Sequence, residues 1–165
     1  MYIGLYRNCP GVISWWITVR TNGPYSHASF VLDDEEVWHA TWPELMRADN
    51  LRHSVEQLGH KQATIDLYEL IDLQPQQAEE IVKYLHELKG TPYDWWGLIC
   101  FKRRRDWHSE HKLFCSEAIR VVTDYEKVRF HLFPDLNNPP AHKTSPNDLV
   151  ESKQIKMRDS RLIIL

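Results

Sequence analysis

The feature that most constrains this chain is a predicted helix that begins at a cysteine. In residues 112–125, KLFCSEAIRVVTDY, apolar side chains recur at roughly helical spacing, and Glu117 adds an acid to the first turn, where the helix dipole favours it. Backbone N–H groups at a helix start can lower the pKa of a thiol from about 8.5. The pattern predicts that Cys115 is a nucleophile if a base lies nearby. The alternative is a small buried apolar residue, which is the commoner role of a lone cysteine.

A β-hairpin is predicted in residues 25–42, YSHASFVLDDEEVWHATW, because two strand-like runs flank an acidic turn. With an odd number of loop residues, Ser29 faces His39, and His27 and His39 share one face of the sheet with backbones about 7–8 Å apart. An even loop would put the two histidines on opposite faces. The odd loop would give Cys115 both a base and a second group that orients the base.

The remaining segments indicate a single α+β domain, residues 1–165, with a small antiparallel sheet or half-open barrel packed on helices. Irregular polar loops are expected at 43–59 and 131–140, and an exposed charged excursion at 102–112. Strands are predicted at 1–7, 44–47, 63–70 and 161–165, and helices at 12–20, 75–90 and 145–152.

Composition argues against several classes of function and leaves nucleic-acid binding as a weak alternative. The net charge of −3 gives no general electrostatic footprint for nucleic acid, and three cysteines without paired spacing predict neither a disulfide framework nor a CxxC metal site. No secretion signal or membrane-spanning apolar run is recognisable. We therefore expect a cytoplasmic protein without a cofactor, a nucleic-acid partner or a transmembrane segment; its oligomeric state is not predictable from the sequence.

Five motifs, taken in their order along the chain, resemble one enzyme family. They are YSHASFVL, a histidine twelve positions after His27 at His39, a helix followed by GTPYDWWG, then FCSEAI, and finally TSPNDL. Together they resemble the circularly permuted branch of the NlpC-type papain-like cysteine hydrolases, which includes YiiX and YaeF-like amidases and lecithin:retinol acyltransferase-like proteins. The resemblance spans about residues 25–149.

The resemblance implies a permuted papain-like fold and a peptidase or amidase mechanism. In that mechanism Cys115 is the nucleophile, His27 the general base and His39 the third residue that orients the base. The resemblance also implies that Tyr93 lies close to the oxyanion site, next to the backbone N–H of Cys115. The chain differs from the commonest family pattern in its charged excursion at 102–112.

Tryptophans close to these motifs are candidates for the wall of a substrate cleft. Trp38 and Trp96 are predicted to contact substrate together with Tyr93, and Trp42 and Trp95 are further candidates. For at least half of the tryptophans, simple filling of the core is the alternative, because buried aromatic side chains usually pack there. Six other histidines are expected at the surface without a role: His53, His60, His86, His108, His111 and His142.

Several functions remain open at this level. Cleavage of an amide bond through an acyl-enzyme on Cys115 is the first expectation, and hydrolysis or transfer of an ester, thioester or lipid acyl group is the second. A module that binds a peptide or lipid without turnover is an alternative outside enzymology. A zinc site formed by His27, His39 and Cys115 is a further alternative, although no metal-site spacing accompanies these residues.

Overall fold

The computed structural model of the protein describes residues 1–33, 35–100, 111–133 and 140–165, without the side chains of residues 99 and 100. Its strands are β1 (Tyr2–Arg7), β2 (Tyr25–Val31), β3 (Val37–Ala40), β4 (Leu45–Ala48), β5 (Gln62–Leu70) and β6 (Ile155–Ile164). Its helices are α1 (Val12–Thr21), α2 (Leu51–Gln57), α3 (Pro75–Leu88), α4 (Trp95–Cys100), α5 (Cys115–Thr123) and α6 (Pro146–Leu149), with a 3-10 turn at Ala141–Lys143.

The strands form one six-stranded antiparallel sheet in the order β4-β3-β2-β1-β5-β6. The prediction of a mixed fold with an antiparallel sheet packed on helices is confirmed. Within the described ranges, no helix is long and apolar enough to cross a bilayer.

The two faces of the sheet carry separate apolar clusters, because successive side chains of a strand point to opposite faces. On one face, Ala28 and Phe30 of β2 pack with Trp38 of β3 against Ile81 of α3 and Ile119 of α5. On the other face, a second cluster is covered by α2; it contains Tyr6, Val31, Val37, Leu51 and Val55. The helix of Cys115 and the short helix α2 therefore cover opposite faces of the sheet.

Residues 43–59 are the main error of the sequence-based assignment, which treated them as mostly irregular. They contain α2, whose first turn is capped by the Asn50 side chain accepting a hydrogen bond from the N–H of His53. Leu51 and Val55, four positions apart, are buried against the sheet. The last strand also begins at Ile155 rather than at 161, because its first half pairs with the end of β5.

Two predicted features fall partly outside the described residues. Of the charged excursion at 102–112, only His111 and Lys112 are described, and both are exposed. Of the loop predicted at 131–140, residues 134–139 lie outside the description. The other predicted strands and helices agree with the structure to within a few residues at their ends.

Candidate active site

The hairpin of β2 and β3 has the register of an odd loop. Phe30 lies opposite Trp38 and Val31 opposite Val37, while the N–H of Leu32 donates to the carbonyl of Glu36. In this register His27 and His39 point to the same face of the sheet. The prediction that the two histidines share a face is confirmed.

The two histidine rings are joined to each other and to a glutamine. Nε2 of His27 lies 3.0 Å from Nδ1 of His39, and Nε2 of His39 lies 2.8 Å from Oε1 of Gln57. Both histidines are buried, with exposed fractions of 6% and 1%. Gln57 is the last residue of α2. The sequence analysis predicted an irregular loop for this segment and therefore did not identify Gln57 as a site residue. The signal that could have revealed it is Asn50 as a helix cap before Leu51 and Val55.

Burial keeps both imidazoles neutral. Burial, and then the neighbouring His39 and His60, lower the pKa of His27 well below 6.5. Burial also lowers the pKa of His39 to about 4, although the hydrogen bond to Gln57 acts in the opposite direction. Near pH 7, therefore, each ring carries one N–H and one free lone pair.

Cys115 is the first residue of α5, as predicted, and it is 1% exposed. Backbone N–H groups of Ala28, Ser116 and Cys115 itself face its sulfur. The ladder between β2 and β3 pairs Phe30 and Val31 but ends before Ala28, which leaves room for the thiol at this point of the strand. The N–H of Ala28 belongs to the peptide unit that joins His27 to Ala28, so the thiol lies beside His27. A hydrogen bond between Sγ of Cys115 and a ring nitrogen of His27 stays a prediction.

The expected low pKa of the Cys115 thiol is wrong for this structure. Burial raises the pKa of Cys115 to about 11, and the N–H groups around the sulfur offset only part of that effect. Removal from water disfavours the thiolate more than the helix start favours it. The thiol is accordingly neutral at rest.

Tyr93 lies close to Cys115. Its backbone N–H donates to the carbonyl of Pro43, and the residue forms an isolated bridge with Leu113, two positions before Cys115. Burial, followed by the charges of Cys115, Asp94 and Glu117, raises the pKa of Tyr93 well above 10. The hydroxyl group therefore stays protonated and can donate a hydrogen bond. Its predicted role at the oxyanion site stays a prediction.

A cavity of about 330 Å³ opens beside the histidines. His27, Gln57 and Tyr93 line it, together with the side chains of Ile13, Ile17, Trp42 and Trp95, which are all apolar or aromatic. Cys115 is not among its lining residues. His27 and Tyr93 both line the cavity and neighbour Cys115.

Two of the four candidate tryptophans line this cavity. These two are Trp42 and Trp95, whereas Trp96 is 60% exposed and is not among the lining residues. Trp38 is 1% exposed and packs against the ring of His86 in the core on the other face. The assignment of Trp38 to the cleft wall is wrong, since alternation along β3 directs Trp38 away from His39. The role of Trp96 stays a prediction.

The other histidines differ in their surroundings. His60 was expected at the surface, but it is half-buried, lines the cavity and lies 3.4 Å from the Ser14 hydroxyl. His53 is also half-buried and lies 3.3 Å from Nε2 of Gln57. His142 is half-buried, His86 and His111 are exposed as expected, and His108 lies outside the described residues.

No metal-binding cluster of three or more His, Cys, Asp or Glu residues occurs in the described part of the chain. The alternative zinc site of His27, His39 and Cys115 is therefore not assembled in this structure.

Comparison with known proteins assigns no family. No protein-family model matches the chain, and no curated protein matches it. The resemblance to permuted papain-like hydrolases thus depends on the motifs alone.

Proposed function

We propose that this protein is a cysteine-dependent hydrolase with a permuted papain-like fold, which cleaves an amide bond through an acyl-enzyme on Cys115. The observation that carries the proposal is the position of the Cys115 thiol at the N–H of Ala28, beside a His27 whose ring is bonded to His39. A nucleophile, a base beside it and a third group that orients the base are the parts that nucleophilic catalysis needs.

The reaction begins from a neutral thiol and a neutral imidazole. Sγ of Cys115 attacks the carbonyl carbon while the thiol proton passes to Nδ1 of His27, and the electron pair of the C=O π bond moves to oxygen. The oxyanion accepts hydrogen bonds from the backbone N–H of Cys115 and from the protonated Tyr93 hydroxyl. The imidazolium then protonates the leaving nitrogen and the C–N bond breaks.

Hydrolysis of the acyl-enzyme uses the same groups in reverse. A water molecule gives a proton to Nδ1 of His27 as its oxygen attacks the thioester carbon, and the C–S bond then breaks. The proton returns to the sulfur, which restores the neutral pair. His39 touches no reacting atom in this scheme and acts by orienting His27.

The cavity indicates the character of the substrate. The apolar walls formed by Ile13, Ile17, Trp42 and Trp95 favour a substrate with an apolar group next to the scissile bond. Because Cys115 is buried, the scissile carbonyl has to reach the sulfur between His27 and Tyr93. Esters and thioesters would follow the same steps with a different leaving atom, so they belong in the same activity test.

A non-catalytic binding module is the second candidate. The observation that favours it is the burial of Cys115, which is 1% exposed, is not part of the cavity lining and has its pKa raised to about 11. Such a module would hold a peptide or lipid in the cavity without covalent chemistry.

Turnover of amide, ester and thioester substrates with small apolar acyl groups separates the two candidates. We expect slow hydrolysis that Cys115→Ala and His27→Ala each abolish, with the double variant no worse than either single variant, because both residues serve one chemical step. Cys9→Ala is the matched control, since Cys9 is not among the residues that line the cavity, and it should retain the activity.

The outcomes differ clearly between the candidates. Hydrolysis that survives in Cys115→Ala refutes the enzyme mechanism. Capture of the same compounds without turnover, unchanged by Cys115→Ala and His27→Ala but weakened by Trp95→Ala, supports the binding module instead.

A further inference from the structure

Gln57 ends the hydrogen-bonded chain that begins at His27. We propose that Gln57 is a positioning residue that fixes the tautomers of His39 and His27, so that Nδ1 of His27 is left as the proton acceptor. This inference rests on the proposed function for its catalytic meaning, although its structural content can be tested without any turnover.

The orientation of the Gln57 amide is set by a backbone carbonyl. Its Nε2 lies 3.1 Å from the carbonyl oxygen of Arg47, which can only accept a hydrogen bond. The reversed amide would place two oxygens against each other at that distance. The same Nε2 is 3.3 Å from Nε2 of His53, a second contact that suits a donor. Oε1 of Gln57 therefore faces His39.

The oxygen of Gln57 decides the tautomer of His39. Oε1 can only accept, so Nε2 of His39, at 2.8 Å, has to carry the hydrogen. A neutral imidazole has a single N–H, which leaves Nδ1 of His39 with a free lone pair.

That lone pair in turn decides the tautomer of His27. Nδ1 of His39 accepts, so Nε2 of His27, at 3.0 Å, donates. The remaining nitrogen of His27, Nδ1, then carries a lone pair and can take up a proton. Burial supports this state by keeping both rings neutral.

The Tyr6 and His53 side chains near His27 and His39 do not change this assignment of the tautomers. The Tyr6 ring of β1 meets the His27 ring edge to face, with centroids 5.0 Å apart, and its hydroxyl is bonded to Ser29 and Ser54 instead. His53 contacts Gln57 rather than the histidine pair.

Nuclear magnetic resonance of the ring nitrogens tests the proposal directly. With ¹⁵N-histidine in the full chain at pH 8, long-range ¹H–¹⁵N correlation should show both His27 and His39 with hydrogen on Nε2. Gln57→Leu should lose this uniform state, because no acceptor then faces Nε2 of His39. Gln76→Leu on the exposed face of α3 is the matched control and should leave both spectra unchanged.

The spectrum of the unaltered protein already decides the central claim, so the test survives if Gln57→Leu fails to fold. Hydrogen on Nδ1 of His39 or of His27 overturns the proposal. Unchanged tautomers in folded Gln57→Leu overturn it as well.

Kinetics then separate positioning from substrate contact, because Gln57 also lines the cavity. Gln57→Leu should lower kcat about 10- to 100-fold, as loss of a group that orients another does, with KM changed by less than about twofold. A rise in KM with unchanged kcat would make Gln57 a substrate contact and refute positioning. If the unaltered protein turns over no substrate, the proposed hydrolase fails while the tautomer result still stands or falls by itself.

Discussion

The histidine side and the cysteine side of the candidate site are held by different forces. His27 and His39 are fixed by a chain of hydrogen bonds that ends at Gln57, on the face of the sheet that α2 covers. Cys115 is fixed by the packing of α5 on the opposite face, through buried residues such as Ile119 and Val122. Directional polar contacts hold one half of the site, and apolar burial holds the other.

This difference determines what each half can do. Hydrogen bonds select which nitrogen of a ring carries the proton, so the histidine side can present an oriented base. Apolar burial has no such direction and only disfavours charge, so the thiol stays neutral until a base takes its proton. The site therefore combines an oriented base with a thiol that is not ionised in advance.

The largest effect on stability is expected from disrupting the packing of α5, on the cysteine side of the site. Ile119→Ala removes a fully buried side chain of α5 and should lower the free energy of unfolding by about 2–5 kcal/mol, measured by urea denaturation. Ile13→Ala is the matched control in α1, where the side chain is 52% exposed, and it should cost less than about 1 kcal/mol. Equal losses at the two positions would show that packing of α5 does not hold the cysteine side.

A smaller effect on stability is expected from the protonation of His39, on the histidine side of the site. Folding lowers the pKa of His39 to about 4. Below pH 6.5 the unfolded chain therefore binds a proton that the folded chain does not, and the free energy of unfolding decreases as the pH decreases. Between pH 7 and pH 5, His39 should contribute about 2 kcal/mol to this loss. His39→Asn keeps an acceptor for His27 but cannot titrate. Between pH 7 and pH 5 this variant should therefore lose about 2 kcal/mol less stability than the unaltered protein.

The pH experiment has a control on α3. His86→Asn removes an exposed histidine and should leave the difference between pH 7 and pH 5 as it is in the unaltered protein. If His39→Asn and the unaltered protein lose stability in parallel, the buried neutral state of His39 is wrong.

The smallest effect concerns the reactivity of the thiols. Burial raises the pKa of both Cys9 and Cys115 to about 11, but Cys9 is partly exposed and Cys115 is not. In the resting protein at pH 7, iodoacetamide should therefore label Cys9 about three- to tenfold faster than Cys115, as followed by peptide mass spectrometry. Faster labelling of Cys115 would reveal a preformed thiolate and imidazolium pair, and the two sides would then differ less than burial indicates.

Local patterns were enough for most of the fold. The alternation in residues 25–42 and the helical spacing after Cys115 gave the hairpin and α5, because both signals repeat over several residues. The short helix α2 was missed because its seven residues contain few apolar positions, and its stability comes from packing Leu51 and Val55 on the sheet.

By itself, the sequence determined which residues start helices and which alternate in strands, and it made a shared face for His27 and His39 depend on an odd loop. Only the tertiary structure decided that Gln57 completes their hydrogen-bonded chain, that Trp95 rather than Trp38 lines the cavity, and that Cys115 is buried with a raised pKa. Periodicity and caps act between residues close in the chain, so they can be read locally. Desolvation and the choice of hydrogen-bond partner depend on segments distant in sequence, which meet only when the sheet and its helices have packed.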